Sequence, residues 1–237
     1  MDDAEDTLPP EEALASASGW FGKLSFLGDF ASRRLPEPFV ARCDAWLSSG
    51  VATSRSSLGE RWLDVYLTAP LWRFALGPGL AGDDWWLGVL MPSVDRVGRY
   101  FPLLVCETAS SPPTSRDELE AAGRWFDHVS AAALSTLRPA ATLDAFEASL
   151  TTAPRWSGAT GSLAPPPARS PGHERYRAPR CLSLAEWIAT IGAARLRDGL
   201  HGHSLWWAPS RDGDDTFSIA PGWPPAERFA DLLEGRW

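Results

Sequence analysis

The sequence predicts an α/β fold: a single domain arranged as a three-layer α/β/α sandwich around a mixed, partly antiparallel sheet. Three observations carry this prediction. Two near-continuous apolar runs, 85–91 and 101–106, place bulky neighbours on opposite faces of a strand, Trp85 beside Trp86 and Leu103 beside Leu104. Both faces of their sheet therefore need cover, whereas a half-solvated sheet would alternate. Stretches with helical spacing flank these runs and can supply that cover. The short distance between the runs leaves room only for hairpin-like connections, which makes this part of the sheet antiparallel.

The elements follow in order. Residues 1–18 hold six acids and no base, lack aromatics, and read as a disordered acidic tail. Ordered sequence is expected from Gly19. A helix is predicted over 36–49: Pro36 and Pro38 suit its start, and Phe39, Val40, Cys43, Trp46 and Leu47 share a face. A second helix is predicted from a capping box at Ser57 and Glu60, with Leu58, Trp62, Val65 and Tyr66 on one face and Pro70 as its stop. Strands follow at 71–76, 85–91 and 101–106. A long helix at 115–137 takes Ser115 and Glu118 as its capping box and Leu119, Ala122, Phe126, Val129 and Ala133 as its buried stripe. A shorter helix covers 142–150. Residues 151–180 contain six prolines and read as a long internal loop. The remaining stretch, 181–237, is marginal as a separate domain. It offers a helix (Leu184, Trp187, Ile188 and Ile191 buried), strands at 204–207 and 216–220, and a last helix through Phe229, Leu232 and Leu233. Trp206 beside Trp207 again asks for cover on both faces, so this strand is expected to join the same sheet.

Composition narrows the function. The chain has 237 residues, 44% hydrophobic and 22% charged, enough for a full core. Its net charge is −8; with six acids in residues 1–18, the rest carries −2. A nearly neutral body argues against nucleic acid or an anionic membrane as partner. No run of 18 apolar residues is present, and the acidic start lacks the features of a secretory signal, so a cytoplasmic location is expected. Three scattered cysteines fit a reducing compartment. The thirteen tryptophans read first as core residues.

Familiar catalytic motifs fail on inspection. Gly202-His203-Ser204-Leu205-Trp206 has Trp206 where a nucleophile elbow needs glycine, and Ser204 reads as the start of a strand. Gly22-Lys23 lacks the hydroxyl residue of a phosphate-binding loop. His201, His203, Cys43, Cys106 and Cys181 do not match zinc spacing. No cofactor or metal is implied. The segment that stands out is 91–102, which joins two buried strands yet carries Ser93, Asp95, Arg96 and Arg99. Two readings stand side by side. Asp95 can pair with the arginines to fix the loop, or the arginines can present a guanidinium fork to a carboxylate or phosphate. Asp29, Arg33 and Arg34 form a second polar cluster, read as a capped entry to the first helix with exposed arginines.

These residues resemble a known family. Gly19-Trp20-Phe21-Gly22-Lys23-Leu24, Gly28-Asp29-Phe30, Ser32-Arg33-Arg34-Leu35-Pro36, Ala69-Pro70-Leu71-Trp72-Arg73-Phe74 and above all 91–102 are similar to the type VI secretion-associated TagF family, also called ImpM. So are 204–207 and 229–237. Ser25-Phe26 departs from the pattern, standing where a proline-containing turn is expected. The resemblance implies a bacterial cytoplasmic protein with an α/β/α sandwich. It further implies a regulator that restrains assembly or firing of type VI secretion after translation, by binding a forkhead-associated (FHA) scaffold protein. It implies no catalytic chemistry. Ser93, Asp95, Arg96 and Arg99, with Asp29, Arg33, Trp72 and Arg73, are the expected docking residues, arginine and tryptophan being favoured at interface centres. The competing reading is a small α/β hydrolase or transferase, with Asp95 as base and Arg96 and Arg99 holding an anion.

Overall fold

The computed structural model describes residues 17–113, 116–156, 192, 195–196, 198–208 and 216–237. Seven strands form one sheet: β1 (Gly19–Gly22), β2 (Ala31–Arg33), β3 (Trp72–Leu76), β4 (Trp85–Met91), β5 (Leu103–Ala109), β6 (His203–Ala208) and β7 (Thr216–Pro221). Their order is β2-β1-β5-β4-β3-β6-β7. Every pairing is antiparallel, so the expected mixed sheet is corrected to an antiparallel one. The helices are α1 (Glu37–Leu58), α2 (Trp62–Leu67), α3 (Arg116–Ser135), α4 (Leu143–Thr151) and α5 (Phe229–Leu233).

The doubled apolar residues do divide between two cores. Trp86, Leu90 and Leu104 meet Phe39, Cys43 and Leu47 of α1 and Phe229 of α5. Trp85, Val89 and Leu103 meet Trp125 and Phe126 of α3 and Phe146 of α4. Trp206 lies in the first cluster, and Trp207 packs half-buried against the second. The C-terminal strands thus complete the same sheet, with β6 pairing to β3.

Several boundaries differ from the sequence reading. The first helix does not stop at 49. Its buried stripe continues through Gly50, Val51 and Ser54, and it ends at Gly59, whose φ of 55° suits glycine. The capping box at Ser57 is therefore no helix start: the Ser57 hydroxyl donates to the Ser54 carbonyl. A short 3-10 turn, Gly59–Arg61, leads into α2 instead. Leu119 of α3 is exposed, while Trp125, Ser130 and Ala132 join the stripe. The third apolar strand runs 103–109 rather than 101–106, because Glu107, Thr108 and Ala109 pair with Leu87, Trp86 and Trp85.

Strands β1 and β2 carry no sequence signal, since a four-residue strand framed by glycines has weak propensity. Pairing with β5 overrides it. Gly22 is required there: its φ is 135°, and a Cβ would stand 2.2 Å from the Pro102 carbonyl oxygen. Ser18, assigned above to the tail, is buried and hydrogen-bonded. The rest of the acidic tail, most of the proline-rich loop, Ser115, Cys181 and the helix expected near 183–191 lie outside the described residues. No described helix is long and apolar enough to cross a membrane.

Candidate functional site

The connection from β4 to β5 folds back on itself as a tight loop. Val94 bridges Tyr100, the Phe101 N–H donates to the Ser93 carbonyl, and the Asp95 N–H donates to the Arg99 carbonyl. Gly98, at φ 85°, turns the tip. Asp95 organises this loop. Its side chain is wholly buried, and both oxygens are spent. Oδ1 accepts the Val97 and Arg99 N–H groups at 3.0 and 2.9 Å. Oδ2 accepts Lys23 Nζ at 2.6 Å and Arg99 Nε at 2.7 Å. Burial alone would raise its pKa, but the bonds from Lys23, Arg99 and Val97 outweigh it and hold the carboxyl well below the usual carboxylate range.

The loop is also tied to both sides of the fold. The Ser93 hydroxyl donates to the Lys23 carbonyl at 2.7 Å. Tyr66 of α2 donates to the Ser93 carbonyl at 2.9 Å and accepts its N–H at 3.0 Å. The Arg96 N–H donates to the Leu27 carbonyl at 2.8 Å. The Arg99 guanidinium donates to the Gly28 carbonyl and lies 3.7 Å from Asp29. Lys23 sits 4.6 Å from the centre of the half-exposed Phe30 ring, which packs edge-on to Phe101.

Of the two readings of 91–102, the geometry shows the one in which Asp95 fixes the loop. The ion pair that fixes the loop is real, and it holds Arg96 and Val97 exposed at the tip. Among the described residues Arg96 has no carboxylate partner. Arg99 is half-exposed but belongs to the lock. Asp95 has no acceptor site left for a substrate proton, and its depressed pKa further withholds it from the base role of the hydrolase reading. Cys43 and Cys106 are no nucleophiles either: burial pushes the Cys43 thiol up to about 12 and that of Cys106 well above its ordinary value. Among the described residues no group of His, Cys, Asp and Glu could hold a metal ion.

The other expected site residues fall elsewhere. Asp29 does reach the loop, through Arg99. Arg33 does not: it lies at the end of β2, 3.5 Å from Glu147 of α4, which also takes Arg34 at 2.7 Å and the Trp20 indole at 2.7 Å. The expected side-chain cap for the first helix is absent, since Pro36 holds that position. Trp72 is corrected from an exposed anchor to a core residue, its indole donating to the Leu232 carbonyl. Arg73 points to the opposite face and pairs with Asp127. Lys23 and Tyr66 are the participants that sequence reading missed. From sequence, Lys23 reads only as a phosphate-loop fragment, and Tyr66 only as a core position. Ser25-Phe26 makes its turn without proline, closed by the Leu27 N–H on Leu24.

An apolar groove of about 190 Å³ opens beside the loop, lined by Leu67, Leu71, Pro92, Val94, Leu134 and Leu137. Leu67, Leu134 and Leu137 are exposed, so aliphatic and guanidinium groups share this end of the molecule.

Comparison with known proteins agrees with this picture. The family model for the TagF N-terminal domain, type VI secretion system-associated, matches residues 19–153. The crystal structure of PA0076 from Pseudomonas aeruginosa PAO1 is similar, with a TM-score of 0.73 and 37% identity over 92% of this chain and 94% of that one. No curated protein matches the chain. Both the site-bearing half and the overall fold therefore point one way: the chain belongs to the TagF family of type VI secretion-associated proteins.

Proposed function

We propose that this protein is a cytoplasmic, non-catalytic repressor of type VI secretion that acts after translation by holding an FHA-domain scaffold protein. The two helical cores on opposite faces support reading the fold as a three-layer sandwich, which serves as a rigid mount for the β4–β5 loop. One observation carries the docking assignment: Asp95 is saturated by four donors, so its role is to hold the loop, and what the loop offers outward is Arg96 and Val97 next to an apolar groove. Arginine beside a desolvatable aliphatic patch is the composition of an interface centre. Holding a scaffold in this way restrains assembly by mass action and needs no turnover.

The geometry also selects the variant for the test. Arg99→Glu would set a carboxylate against buried Asp95 and is expected to unfold the loop. Arg96→Glu alters the exposed tip and leaves the lock in place. Tagged wild type and Arg96→Glu, with matching circular dichroism and melting, are used to pull down partners from the source cell. The scaffold is expected to co-purify with wild type and to be depleted at least tenfold, about 1.4 kcal/mol, with Arg96→Glu, which also releases secretion. A folded Arg96→Glu protein that keeps both scaffold binding and repression would sink the assignment.

A further inference from the structure

A second cavity, of about 530 Å³, lies away from the loop, where β1 gives out. Strand β1 pairs with β5 only as far as Gly19 opposite Cys106, yet β5 continues to Ala109 with β4 as its partner. The resulting gap at Glu107 is walled by Ser18, Arg34, Trp125 and Trp156, with Arg155 at its rim. The volume is that of a small-molecule site.

Among the described residues the charge facing this cavity is unevenly compensated. Arg34 is committed: its Nε and Nη2 donate to the Ser18 carbonyl, and its Nη1 meets Glu147 at 2.7 Å. Glu107 receives the Ser18 hydroxyl at 3.0 Å, and Ser18 in turn accepts the Trp125 indole at 3.2 Å. Burial raises the Glu107 carboxyl above its ordinary value even though Ser18, Trp156, Trp125 and the charge of Arg155 all pull it down. Among the described residues Glu107 accepts a neutral donor and forms no ion pair, and a carboxylate beside tryptophans at the wall of a cavity favours a cation with donors to spend.

We propose that this cavity binds a primary ammonium or guanidinium group, seated on Glu107 beside Trp125 and Trp156. The group can belong to a free amine or to a lysine or arginine side chain of a peptide. The site is separate from the loop and does not depend on the docking reading.

The test uses the full chain at pH 8, followed by calorimetry and tryptophan fluorescence. Cadaverine and agmatine represent free amines, acetyl-Gly-Lys-Gly-amide and acetyl-Gly-Arg-Gly-amide the side chains, and pentanoate is the anionic control. Saturable binding of at least one cationic probe is expected, and the stronger pair identifies the source. Glu107→Gln is expected to weaken it at least tenfold, whereas Arg155→Gln leaves it unchanged or tightens it, since that charge opposes a cation. Absence of saturable binding by every cationic probe up to millimolar concentration would overturn the proposal. So would full binding by Glu107→Gln, or pentanoate binding that Arg155→Gln abolishes. If Glu107 only guards a bare strand edge against pairing, Glu107→Gln aggregates and wild type binds no probe, which also overturns it.

Discussion

Asp95 and Glu107 are carboxylates whose pKa values are driven in opposite directions, one held down by its donors and the other pushed up by burial. Asp95 faces a buried ammonium and a guanidinium. Replacing it by Asn strands Lys23, whose side chain is almost fully buried, without its counter-charge. Loss of one partner of a buried pair costs about 3–5 kcal/mol, so Asp95→Asn is expected to lower the urea midpoint by a corresponding amount. A midpoint within experimental error of wild type would contradict the lock. The pH dependence has a definite sign. The folded pKa of Asp95 lies below its unfolded value, so its contribution is complete above about pH 5 and is lost as pH falls through 4 and below. Glu107 has a raised folded pKa, so the folded state holds its proton more tightly, and ionisation at neutral pH weakens the fold. Glu107→Gln is therefore expected to melt at the same temperature as wild type or higher at pH 7.

At the scale of elements, two contacts join parts distant in sequence. Tyr66 anchors α2 to the loop through both the N–H and the carbonyl of Ser93, and burial pushes its phenol pKa upward. Tyr66→Phe leaves the buried Ser93 N–H unpaired and its carbonyl with the Phe101 N–H alone, at about 1–3 kcal/mol. Faster amide exchange at Ser93 and a lower melting temperature are the expected readouts; unchanged exchange would contradict the anchor. Gly50 marks the closest approach of α1 to α5: a Cβ there would lie 2.3 Å from the Phe229 ring. Gly50→Ala is expected to destabilise by about 1–3 kcal/mol through overpacking, measurable by thermal melting, although alanine is the better helix former. The same contact explains why α1 runs past its predicted end. Val51 joins the core that holds the C-terminal helix, and Ser54 accepts the Trp62 indole, contacts that local spacing does not reveal; that packing overrides a capping box that is correct in composition.

For the whole molecule, the family match over 19–153 omits a strand and core residues that complete the sheet. Strand β3 takes β6 as its second neighbour, and the core on that side includes Trp206, Phe229 and Leu233. A fragment of residues 19–153 would leave the β3 edge bare and Phe74 without Trp206, whose ring centre lies 5.2 Å from it. Such a fragment is expected to show no cooperative thermal transition, while the full chain does; cooperative melting of the fragment would refute this.

Side-chain pattern alone was enough for the α/β class, the two-faced burial of the central strands, the shared sheet of the N- and C-terminal parts, and a polar loop at 91–102 between buried strands. Each of these rests on side-chain period or on residue type, which are local properties. It could not supply β1 and β2, the wholly antiparallel pairing, the partnership of Lys23 with Asp95 across 72 positions, or the cavity at Glu107. Those depend on which distant segments meet. Lys23 looks like any exposed lysine until β1 pairs with β5 and carries its ammonium beneath the loop. Glu107 looks like any polar strand residue until β1 ends short of it. It takes those long-range contacts to make Asp95 a lock and to set Glu107 at the wall of a cavity among the described residues.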